Sequence, residues 1–215
     1  MARTAPHRPT DKKAPQKRPT LLFLLGGAVV AALVIAIFIS PRQPEGVAEY
    51  QRVMVSGEPL AQFAGDPSSD PALGLPAPRV SGFDFDGSTV TVPADGRPKV
   101  ILFLAHWCPH CQNEVRSIVA YLQNNDLPAN ADLYSVSTAS SATRPNWPPS
   151  AWLEREGWPF PVIVDDEQSS AFSAFGTGAF PFYVFLDGDG AVVMRLSGEQ
   201  DPVRLAEIMQ ALPTA

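Results

Sequence analysis

Residues 100–111 constrain this chain more than any other stretch, because an apolar run (Val100, Ile101, Leu102, Phe103, Leu104) delivers its only two cysteines, Cys108 and Cys111, into a helix-patterned segment. A run of this kind without polar alternation predicts a central strand covered on both faces. After Cys111 the apolar residues Val115, Ile118, Val119 and Leu122 recur at helical spacing. Cys108 is therefore expected at a helix N-terminus and Cys111 about one turn in, close enough for a disulfide within that turn. Free backbone N–H groups and the positive end of the helix dipole favour a thiolate at Cys108, which makes it the expected nucleophile. Cys111, deeper in the helix, is the expected resolving thiol. Half a zinc site and a structural disulfide are the competing readings. Zinc normally takes four ligands, and besides the two cysteines the chain offers only His7, His106 and His110, with the two nearby imidazoles on the wrong sides of one turn. The pair thus reads as a redox-active dithiol that needs neither metal nor cofactor.

Trp107-Cys108-Pro109-His110-Cys111 after an apolar strand resembles the thioredoxin superfamily, and the likeness extends over residues 73–212. Gly74-Leu75-Pro76-Ala77-Pro78 and Phe85-Asp86-Gly87 resemble the entry of extracytoplasmic TlpA/ResA-like thioredoxins and redoxins. Phe180-Pro181 followed by Phe182-Tyr183-Val184-Phe185-Leu186-Asp187 and Gly188-Asp189-Gly190 resembles the family's cis-proline strand and hairpin. The resemblance implies a cis peptide before Pro181 and places Phe180 facing the cysteines, with backbone groups for an incoming peptide. Thioredoxins proper carry a buried aspartate six residues before the first cysteine, where this chain has Leu102; the TlpA/ResA-like branch has a glutamate three residues after the second, here Glu114. That branch is the better match.

The expected fold is α/β and thioredoxin-like, a central mixed β-sheet flanked by helices with an N-terminal β-hairpin, preceded by a single transmembrane helix. Asp86-Gly87-Ser88 is a turn signal between strand-like residues 80–85 and 89–92. Residues 132–138 and 161–164 read as further strands. Residues 150–156, capped by Ser150 and stopped by Gly157, and residues 168–175, stopped by Gly176, read as short helices. Pro181 must open its strand, since a proline removes a ladder donor. The hairpin over 187–190 leads into a strand over 191–196, and Asp201-Pro202 caps a last helix with Leu205, Ile208, Met209 and Leu212 on its apolar face. The loop over 139–150, with Arg144 and Trp147, lies at the carboxyl edge of the sheet, where ligands bind. It reads either as a partner contact or as a surface loop whose tryptophan packs on its own prolines.

Ahead of this domain, residues 1–20 hold six basic residues, one aspartate and four prolines, the composition of a disordered tail. Residues 21–39 are uninterrupted apolar and glycine residues spanning about 28 Å as a helix, close to a bilayer's hydrocarbon core. They read as a single-pass anchor with the basic tail in the cytoplasm and everything after it outside. A cleaved signal peptide ending near Gly46-Val47-Ala48 is the rival, although its apolar region is long and that site distant. Residues 40–78 are rich in Pro, Gly, Ser and Asp and read as a flexible extracytoplasmic tether of roughly 35 Å root-mean-square length. Residues 53–55 and 60–63 are short apolar islands within it that either dock on the domain or, on the plainer and favoured reading, are linker with residual contacts. The thioredoxin-like domain is then expected over 79–215. With the tail set aside, ten basic residues face twenty-one acidic ones, a net charge of -11 that excludes nucleic acid as the partner.

These readings converge on a membrane-anchored thiol-disulfide oxidoreductase exchanging disulfides with protein thiols of exported proteins or apocytochromes; the redox donor or acceptor is not specified by the sequence. Glu114 is expected to relay protons near the thiols, or else to complement the helix N-terminus. His110 is expected beside the Cys108 sulfur, favouring thiolate and a more oxidising couple, or else to be a solvent-exposed histidine without effect. Trp107 is read as shielding the cysteines and Pro109 as opening the helix. The rival functions are a copper-handling module using His106, Cys108, His110 and Cys111, and a thiol peroxidase.

Overall fold

The computed structural model describes Met1 and residues 48–215. The predicted basic tail and membrane anchor lie outside the described residues. Among the described residues no helix is long and apolar enough to cross a membrane.

Among the described residues, eight strands and four α-helices follow one another, with a 3-10 turn at Pro67–Ser69. The strands are β1 (Met54–Ser56), β2 (Arg79–Phe83), β3 (Thr89–Thr91), β4 (Lys99–Leu104), β5 (Asp132–Ser137), β6 (Val162–Val164), β7 (Phe182–Leu186) and β8 (Val192–Ser197). The helices are α1 (Pro109–Leu122), α2 (Pro149–Glu156), α3 (Ser170–Ala174) and α4 (Pro202–Gln210). The main sheet has the order β6-β5-β4-β7-β8, with β4 parallel to β5 and antiparallel to β7. A smaller antiparallel sheet, β1-β2-β3, contains the predicted hairpin.

The unalternating run that predicts a central strand is β4, and the packing explains its pattern. Val100, Leu102 and Leu104 belong to a core shared with Val115 and Ile118 of α1 and Leu205 and Met209 of α4. Ile101 and Phe103 point to the other face, packing with Phe182, Val184, Phe175 and Val80. Both faces are covered, so no polar position survives in the run. In α4, Asp201 accepts from the backbone N–H groups of Val203 and Arg204, the predicted cap.

Two expectations are corrected here. Residues 48–78 are not a free tether, and the domain does not begin at residue 79. β1 pairs with β2, Leu60 and Phe63 are buried in the core, and backbone bonds join Leu60 N–H to Ala174 O (2.9 Å) and Phe63 N–H to Gly176 O (2.7 Å). The arm passes so close to Gly176 that a Cβ there would lie 2.2 Å from the Ala61 carbonyl oxygen, and φ is +62°. Only glycine fits. The arm is locked by Arg195 of β8, wholly buried, whose guanidinium donates to both oxygens of Asp70 (2.7 and 2.5 Å) and to the Ala61 and Phe175 carbonyls (2.9 and 2.8 Å). The apolar islands therefore supply core contacts, and proline-rich composition reflects an irregular path instead of freedom. The second correction concerns α2, which starts one residue early with Pro148 at its N-cap. The Ser150 hydroxyl instead donates to Glu49. Gly157 does terminate α2 in the left-handed conformation.

Candidate active site

β4 ends at Leu104, and five residues later α1 begins with Pro109 at its first position and Cys108 as its N-cap. The proline has no N–H to lose there, and its fixed φ suits the first helical residue. Cys108 is 6% exposed and Cys111 is 0% exposed, so only Cys108 reaches the surface. Both are free thiols. The Cys111 sulfur accepts from the Ala105 N–H at 3.4 Å. Burial nevertheless pushes the Cys111 thiol well above the ordinary range, with the Cys108 sulfur and the Glu114 carboxylate adding to the effect. The two thiols thus differ in depth, Cys108 lying nearer the surface and Cys111 fully enclosed.

Facing them, the peptide between Phe180 and Pro181 is cis, and the Phe180 carbonyl lies 3.9 Å from the Cys108 sulfur. The Pro181 carbonyl accepts from the Gly198 N–H at 2.8 Å, tying this turn to the β8–α4 loop. Trp107 stands edge-on to Phe180, with centroids 5.9 Å apart, and its Nε1 donates to the Ala139 carbonyl at 2.8 Å. The Arg144 guanidinium sits 4.1 Å above the Trp107 ring. The 139–150 loop is accordingly bound to the site, and Trp147 lies beside Tyr50 and His106, with ring centroids 6.1 and 5.8 Å away.

His106 and His110 have unlike surroundings. His106 is wholly buried; its Nδ1 bonds the Pro145 carbonyl at 2.7 Å and its Nε2 accepts from the Ser141 N–H at 3.1 Å. Those partners fix the neutral ring, and burial lowers its pKa. With both nitrogens engaged in holding the loop, His106 has none to share with the cysteines around a metal. His110 is exposed, and its Nδ1 meets the Glu199 carboxylate at 2.6 Å. One ring nitrogen of His110 is thus engaged by this carboxylate.

Glu114 lies further along α1 and is 1% exposed. It accepts from the Tyr183 hydroxyl on β7 and from the Gln200 N–H, at 3.0 and 3.2 Å to its two oxygens. Burial raises its pKa to about 7, while those two donors oppose the rise. Its charge in turn helps raise the Cys111 thiol, which places the carboxyl within electrostatic reach of the buried sulfur. Tyr183, Gln200 and Glu199 escape sequence reasoning. One signal was present: a tyrosine in an apolar strand needs a partner for its hydroxyl when buried.

The redoxin family model matches residues 72–212. The chain belongs to the redoxin family. It is a thiol-disulfide oxidoreductase of the thioredoxin superfamily, acting on protein thiols or disulfides. No curated protein matches it significantly. Among solved structures this redoxin is similar to a putative protein disulfide isomerase from Bacteroides thetaiotaomicron (20% identity, TM-score 0.51, covering 70% of this chain and 90% of that one). It is also similar to a thiol:disulfide interchange protein of the thioredoxin family from Chlorobium tepidum TLS (17%, 0.50, 70% and 99%). A third likeness is to MTB dsbF, solved in mixed oxidized and reduced forms (22%, 0.50, 61% and 92%). At these identities the likeness shows the thioredoxin-like fold of the redoxin.

Proposed function

We propose that Cys108 and Cys111 are the exchange pair of this redoxin, displayed outside the cytoplasm on a membrane anchor and acting on exported proteins or apocytochromes. One observation carries the assignment of roles. Cys108, the less deeply buried of the two cysteines, occupies a helix N-cap beside the Phe180 carbonyl, with Cys111 wholly buried one turn deeper. The Cys108 thiolate attacks a partner disulfide, forming a mixed disulfide and releasing one partner sulfur as thiolate. Glu114 takes the proton of Cys111, whose thiolate then attacks the Cys108 sulfur. The Cys108–Cys111 bond forms, the second partner sulfur leaves with its electron pair, and the partner is reduced by two electrons as the pair is oxidised. The reverse sequence oxidises a partner dithiol. Trp107, Pro109, Phe180 and Pro181 shape the surface around the attacking sulfur. The extracytoplasmic placement is supported by the basic residues before the apolar run at 21–39.

Trapping tests the roles. A Cys111→Ser chain should accumulate mixed disulfides through Cys108, visible as reductant-sensitive adducts, whereas Cys108→Ser should accumulate none. Equal trapping by both variants, or by neither, would overturn the assignment; the trapped proteins identify the substrate class.

A further inference from the structure

We infer that Tyr183 is a positioning residue for thiol-disulfide exchange, its hydroxyl holding Glu114 ionised and aimed at Cys111 so that the resolving thiol can lose its proton. The inference rests on the exchange roles proposed above.

The geometry is specific. Tyr183 occupies β7 two residues beyond Pro181 and is 0% exposed. Its hydroxyl donates to Glu114 Oε1, and among the described residues it is the only side chain that donates to this carboxylate. The other donor is the Gln200 backbone N–H. Cys111 precedes Glu114 by three residues and so shares its helical face. Cys111, Tyr183 and Val115 belong to one buried cluster that excludes water from this floor. The groups facing Glu114 are therefore Cys111 on its own helix, Tyr183 from β7, and Gln200 with the neighbouring Glu199 from the β8–α4 loop. Glu199 and burial favour the protonated carboxyl, whereas the two donors favour the carboxylate. The phenol itself keeps its proton, since burial and Glu114 both raise its pKa. Tyr183 is thus a fixed donor and not a proton carrier. In the resolving step the Cys111 proton passes to Glu114, the Cys111 sulfur bonds Cys108, and the bond from Cys108 to the partner sulfur breaks.

The test uses the full chain in detergent, charged with glutathione on Cys108, and follows glutathione release against pH. The wild-type rate should rise through an acid limb near pH 7. Tyr183→Phe keeps the ring and removes the donor, so its limb should move up by about one unit, leaving release about tenfold slower at pH 6 and little changed at high pH. A fluorinated tyrosine placed at 183, a stronger donor, should move the limb down. Glu114→Gln should abolish the limb, and adding Tyr183→Phe should then change nothing. If Glu114→Gln loses the limb while both Tyr183 replacements superimpose on wild type or merely lower the rate at all pH values, the inference about Tyr183 fails alone. If Glu114→Gln retains the limb, the proton-acceptor role of Glu114 fails and the inference with it.

Discussion

Glu114 links the chemistry of the site to the stability of the fold. Its folded pKa of about 7 stands above the ~4.3 of an exposed glutamate, so between these values the folded chain binds the proton that the unfolded chain has released. Stability from this group is intact below about pH 4 and declines as pH rises through 7, the opposite of a salt-bridged carboxylate. The full decline is on the order of 3 kcal/mol. Urea unfolding of the reduced protein at pH 5 and pH 8 should therefore show wild type losing ground to Glu114→Gln at the higher pH; a constant difference would place the carboxyl in an ordinary environment. His110 acts from the exposed side. A positive or hydrogen-bonding imidazole near Cys108 favours the reduced pair, and replacement by proline should lower the reduction potential by tens of millivolts. Because Glu199 holds His110 Nδ1, Glu199→Gln should change the potential of wild type but not that of His110→Pro. Equilibration against glutathione measures all four proteins, and equal potentials for wild type and His110→Pro would remove His110 from the mechanism.

The arm over residues 48–78 is the element that sequence reasoning placed least well. β4 and α1 were legible because each pattern is local: an unbroken apolar run, then a period of 3.6 residues behind the cysteine pair. The position of Cys108, Cys111 and Glu114 along α1 follows from spacing alone, and Phe180-Pro181 was legible through its resemblance to a known turn. The arm has no period to detect. Its islands are three and four residues long, and its partners are remote: Asp70 meets Arg195 across 125 residues, and Leu60 bonds Ala174. The donors around Glu114 were hidden for the same reason, since Tyr183 and Gln200 reach it across 69 and 86 residues. The arm's role is measurable. Asp70→Ala leaves the Arg195 guanidinium buried without its carboxylate, which should cost about 3–5 kcal/mol in denaturant unfolding. A loss below about 1 kcal/mol would mean that the arm is held by apolar contacts alone.

At the scale of the whole molecule, the described unit and the apolar run ahead of it pose different physical problems. The domain buries its main sheet on both faces. Residues 21–39 have no polar face to turn to water, and as a helix they match a bilayer's hydrocarbon thickness. Six basic residues precede that run against one acidic residue, and clusters of this sign are retained on the cytoplasmic side. The proposed orientation follows from this asymmetry, with the domain outside, where disulfide substrates are stable. Protease added to intact spheroplasts should therefore remove an epitope placed after Ala215 while an epitope placed before Ala2 stays protected and membrane-bound. Protection of both epitopes until lysis would reverse the orientation, and release of the domain without protease would show that the apolar run is cleaved and serves export instead of anchorage.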